Sequence, residues 1–121
     1  MEVTRDEALS LLRRFCEKGT VLRCRLILGS CVGVFMGLIV DVSDEAVGFS
    51  FATDPNPEPQ FIINLDRRPV RFSFGEPVGE EAKEGIGEMI IIAFKPTAEG
   101  APTDNISFGE VLQPKTPARR D

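Results

Sequence analysis

Apolar residues recur along this chain with two different periods, and the change from one to the other falls at Gly19. Between Thr4 and Lys18, Ala8, Leu11, Leu12 and Phe15 lie at helical spacing, and Leu9 and Cys16 widen the stripe. Thr4 is a good N-cap, and Glu7 three residues later completes a capping-box pattern. Arg13, Arg14 and Lys18 suit the C-terminal end of the helix dipole, and Gly19 suits the left-handed position that ends a helix. The pattern predicts a helix over Thr4–Lys18.

Beyond Gly19 the period is two. Leu22, Cys24, Leu26 and Leu28 alternate with Arg23, Arg25 and Ile27, which predicts a strand with one apolar and one mixed face. Gly29, Ser30 and Gly33 mark a turn. Val34 to Val42 reads as a second strand, apolar on both faces apart from Asp41, with a bend or bulge expected at Gly37. After a turn at Ser43, Asp44 and Glu45, Val47, Phe49 and Phe51 form the inward face of a third strand, with Gly48 and Ser50 outward.

Pro55, Pro57 and Pro59 make residues 53–60 a loop, because proline lacks the donor that strand pairing needs. Strands follow over Phe61–Leu65 and at Val70, Phe72 and Phe74, separated by a turn from Asp66 to Pro69. A polar, acidic loop from Gly75 to Gly87 leads to a dense apolar strand, Glu88–Phe94. Ile106–Leu112 reads as a short edge strand or docked segment. The fold class is mainly β: an N-terminal helix followed by a small, strongly bent antiparallel barrel of about five to six strands. Residues 1–112 form a single domain, and 113–121 a flexible tail. Leu11, Leu12 and Phe15 are expected to pack onto Leu26, Phe49, Phe72 and Ile91.

The order helix, strand, glycine turn, strand with a central glycine, strand resembles the Sm-like family of small barrels over Thr4 to Phe94. The resemblance implies the fold. It does not bring RNA binding with it: the turn Ser43-Asp44-Glu45-Ala46 lacks the family's asparagine, and Arg67-Arg68-Pro69 is not its Arg-Gly pair.

The composition excludes much chemistry. The chain has no histidine, tryptophan or tyrosine, and histidine is the usual general acid or base at neutral pH. Ser30 beside Cys31 has no histidine or lysine partner to activate it, so an enzyme is not expected. The net charge of −5 argues against broad attraction to nucleic acid or anionic lipid. Cys16, Cys24 and Cys31 lack the even count of a disulfide framework and the paired spacing of a zinc site. They are expected to be small buried side chains in a reducing compartment. With no signal peptide and no apolar run long enough for a membrane, the expected location is cytoplasmic.

Arg67, Arg68 and Arg71 are the candidate ligand-binding residues, since guanidinium groups pair well with phosphates. Arg67 and Arg71 have the spacing of the arginine motif of PilZ domains, and Asn105-Ile106-Ser107-Phe108-Gly109 resembles that family's second motif. The resemblance implies a cyclic dinucleotide as ligand, although the second motif is one residue short before its glycine. The alternative for these arginines is solvation or pairing with Asp66 and Glu76. Arg23 and Arg25 share a strand face and suit carboxylates on a neighbouring strand. Glu80, Glu81, Glu84 and Glu88 lack the ligand pattern of a calcium loop, and Gly85-Ile86-Gly87 is not a phosphate loop. No metal or cofactor is expected.

Phe35, Ile39, Ile90, Ile92 and Phe94 fall on strand faces opposite the expected core set, which suggests either a homo-oligomer that covers them or a sandwich core in which both faces are covered internally. The leading expectation is a non-enzymatic domain acting through protein contacts or self-assembly. A phosphate-ligand module and an Sm-like RNA ring are the alternatives.

Overall fold

The computed structural model describes residues 1–51, 59–75, 85–96 and 104–112. A two-residue strand, β1 (Glu2–Val3), precedes α1 (Arg5–Lys18), the one helix among the described residues. The helix starts as its sequence predicts. The Glu7 N–H donates to the Thr4 hydroxyl at 3.1 Å, and the Thr4 N–H donates to the Glu7 carboxylate at 3.0 Å. Gly19, at φ 62°, ends it.

Seven further strands follow: β2 (Leu22–Leu28), β3 (Cys31–Val42), β4 (Ala46–Ser50), β5 (Phe61–Asn64), β6 (Val70–Gly75), β7 (Ile86–Phe94) and β8 (Asp104–Val111). All pairings are antiparallel, in the order β1-β6-β7-β8-β2-β3-β4-β5. Among the described residues the sheet therefore has eight strands and two ends, and the expectation of a closed barrel of five to six strands is corrected. β1 and β5, the two ends of this order, do not pair with each other among the described residues. A side chain spans the opening instead: Arg5 donates to the carbonyls of Asp44 at 2.8 Å and Leu65 at 3.3 Å. Its guanidinium lies 5.7 Å from the centre of the Phe72 ring on β6.

The sheet bends because β3 changes partner. Cys31 to Gly37 pairs with β2, whereas Leu38 to Val42 pairs with β4. At the change, a Cβ on Gly37 would lie 2.0 Å from the Ser50 carbonyl oxygen, so only glycine lets the strands approach. The register slip itself lies between Ile39 and Asp41, beyond the glycine where a bulge was expected. The bend brings β4 over β8, with the Phe49 and Phe108 rings 5.5 Å apart. α1 packs against β3 and β6 and covers the remaining side.

The core contains Leu9, Leu12 and Phe15 of the helix together with Leu22, Cys24, Phe49, Phe72, Ile90, Ile92 and Phe108. Each leucine, isoleucine or phenylalanine among these contributes about 1.5–3 kcal/mol by leaving water. Several expectations change here. Ile39, Ile90, Ile92 and Phe94 are core residues, not an uncovered face, and Ile91 is only half-buried. Leu26 is likewise half-buried. Ser50 is buried and Phe51 exposed, the reverse of the expected alternation, because strand pairing stops at Ser50. Ile106–Leu112 is no edge: β8 lies between β7 and β2, in the interior of the sheet. Most of the proline-rich and acidic loops, and the 113–121 tail, fall outside the described residues. Among the described residues no helix is long and apolar enough to cross a membrane.

Candidate interaction surface

The β2–β3 hairpin turns at Gly29 and Ser30, with Leu28 facing Cys31. Gly29 has φ 61°, the positive value that primed two-residue turns need at their first central position. Its N–H donates to the Asp104 carboxylate at 2.7 Å, fixing the turn to the start of β8. Register then decides which side chains share a face. Arg23 faces Met36, Arg25 faces Val34 and Ile27 faces Val32. Leu22 and Cys24 point into the core, so these pairs point out.

The result is an apolar row along β3 beside a partly basic one on β2. Val32 is 62% exposed, and Val34 and Met36 are each 49% exposed. On the other side of the strand the Phe35 ring stacks on Phe51 at 4.9 Å, and both stay exposed. Among the described residues nine large apolar side chains are exposed, and Leu28, Val32, Val34, Phe35 and Met36 all belong to this hairpin. Exposure concentrated in one element marks a contact surface more than scattered apolar residues do.

Among the described residues the edge of β3 is open as well. Among the described residues only β2 pairs with Cys31 to Gly37, because β4 joins β3 from Leu38 onward. No charged residue occurs between Cys31 and Val40. The sheet's outer strands, β1 and β5, are short, which is one way proteins blunt an edge. This stretch of β3, unpaired on that side among the described residues, has neither shortness nor charge to protect it.

The predicted arginine group separates into different environments. Arg68 is half-buried and committed: it donates to Asp104 at 2.7 Å and to the Lys95 carbonyl at 2.7 Å, and lies 5.4 Å from the Phe94 ring centre. Its hydrogen bond, with that of the Gly29 N–H, holds the Asp104 carboxyl below its ordinary pKa. Asp66, an expected partner of the group, pairs with Arg5 at 3.6 Å. Arg71 is exposed, 3.8 Å from Glu2. Arg67 is exposed and makes no ion pair with a described residue. Arg71 and Lys95 line an open cleft of about 560 Å³ with Pro69, Val70, Phe94 and Pro96. Arg71 faces Ala93, which faces Asn105, so the first residue of the second motif shares the outer sheet face with Arg71, two strands away.

The cysteines divide too. Cys24 is buried, and burial pushes its pKa up to about 12. Cys16 is half-buried and also raised, chiefly by desolvation. Cys31 is exposed, contrary to expectation, because it sits at the tip of the hairpin beyond the reach of the core. Glu88 pairs with Arg14 at 2.6 Å, while Glu80, Glu81 and Glu84 lie outside the described residues. The described residues contain no group of three metal-ligating side chains.

The sequence pattern did not single out the hairpin surface. The signal was present: carrying the alternation of β2 through a two-residue turn places Val32, Val34 and Met36 on the arginine face. Starting the strand at Val34 hid it. Comparisons with protein-family models, curated proteins and solved structures find no match to this chain.

Proposed function

We propose that this chain is a non-enzymatic binding domain that acts through protein contacts made by the β2–β3 hairpin. The concentration of exposed apolar side chains on that hairpin carries the reading. Val32, Val34 and Met36 supply the apolar centre of a contact, and Arg25 supplies a polar border of the kind interfaces have. A photoreactive residue placed at Met36 in cells is expected to give discrete protein adducts, whereas one at exposed Ile62 on β5 gives few. No adduct at Met36, or equal yields at both positions, would refute the reading.

A second reading has its own observation. Arg71 and Lys95 share one cleft, a suitable arrangement for a phosphate-containing ligand. Thermal-shift measurements with cyclic dinucleotides test it: a rise in midpoint that disappears in Arg71→Ala supports the site, and no rise removes it.

A further inference from the structure

We infer that two copies of this chain pair antiparallel through the edge of β3 that no described residue occupies, about a two-fold axis at Val34. The proposal rests on the hairpin as the docking surface and names its occupant. The two-residue turn makes Leu28 and Cys31 a hydrogen-bonded pair. Backbone groups alternate along a strand, so Cys31, Gly33, Phe35 and Gly37 direct theirs to β2. Val32, Val34 and Met36 direct theirs to the open edge. Leu38, of the same parity, is where pairing with β4 begins, which agrees with this assignment.

A second copy is the occupant because the edge is complementary to itself. With the axis at Val34, each Val32 faces the second copy's Met36, and the two Val34 residues face each other. Each facing pair exchanges two hydrogen bonds, about six in all. The stretch from Cys31 to Val40 holds no charge, so pairing places no like charges opposite each other on these strands. The union would continue one sheet across both copies, a closed two-fold contact of the kind most homodimers use. It also sets Val32, Val34 and Met36 beside the second copy's Met36, Val34 and Val32 without any ionic contribution, so it should persist at high salt.

Sedimentation equilibrium over a concentration series, with the full chain, provides the test. The unaltered protein is expected at twice 13.3 kDa. Val34→Pro removes an N–H that points away from β2, so the monomer should keep its circular dichroism spectrum. Loss of that donor from both copies should weaken dimerisation by about tenfold or more. Val34→Lys places a charge at the same exposed position and should do likewise, and it decides the matter if the proline variant fails to fold. A monomer at every concentration overturns the proposal, as does a dimer indifferent to both substitutions. A monomer whose Met36 photo-adduct contains a different protein would overturn self-pairing while leaving the hairpin reading intact. A protein that gives no adduct at Met36 would lose both.

Discussion

Arg68 on the β5–β6 turn holds Asp104 at the start of β8 with an N–O distance of 2.7 Å. The side chains are only 27% and 20% exposed, and Asp104 also accepts the Gly29 N–H from the β2–β3 turn. One carboxylate thus joins three parts of the chain that are far apart in sequence. The Asp104 pKa is lowered in the folded protein, so its contribution is present above the unfolded value, about 3.9. It is lost as pH falls through the folded value. Asp104→Asn should therefore be less stable than the unaltered protein near neutrality. The difference should shrink in urea titrations carried below about pH 4.

The neighbouring arginine should behave differently. Arg71 lies 3.8 Å from Glu2 with both side chains largely in water. Arg71→Ala should change the unfolding free energy by less than about 0.5 kcal/mol. Arg68→Ala, which strands a hydrogen-bonded carboxylate, should cost clearly more in the same titration.

Leu12 is fully buried between α1 and the sheet. Leu12→Ala should destabilise by about 2–5 kcal/mol, read from the urea midpoint at constant slope. A loss below about 0.5 kcal/mol would mean that the helix does not close the core.

Gly37 and Gly33 make a matched pair of tests on one strand. A Cβ at Gly37 meets the Ser50 main chain at 2.0 Å, whereas one at Gly33 meets only the Phe35 ring, at 2.9 Å. Gly37→Ala should cost about 1–3 kcal/mol or more, since backbone must move. Gly33→Ala needs only a ring to turn, and its melting point should fall much less.

Thiol labelling at pH 8 should separate the cysteines in the native protein. Cys31 should react promptly and Cys24 slowly, because the thiolate is the reactive form and burial keeps Cys24 protonated up to about pH 12. Cys16 should fall between them. Labelling of all three should equalise in denaturant.

The readable parts of this fold were those with local causes. The helix, its capping box and its glycine terminator all follow from residues within one or two turns of each other. The alternation Val70, Phe72, Phe74 likewise predicted β6. β7 was different: Met89, Ile90, Ile91, Ile92 and Phe94 are apolar on both parities, so no periodicity could select Ile90 and Ile92 as the inward pair. The central place of β8 depends on pairing Leu22 with Glu110, a relation that no local pattern expresses. β1 has two residues, below the length at which alternation exists. At the candidate sites, the arginine spacing showed residue types but not their neighbours. Arg68 was taken by Asp104, a partner 36 positions away.

The interior position of β8 also sets a schedule. A nascent chain emerges N-terminus first, and β8 is the last of the described strands to be made. Until Val111 is available, β2 and β7 are both bare edges, and the half-sheets they bound have nothing to join them. During synthesis the apolar faces carrying Cys24 and Ile90 must wait uncovered by the strand that later lies between them. A stall or truncation before β8 would therefore release a chain with two adhesive borders, the form most prone to pair with the wrong neighbour.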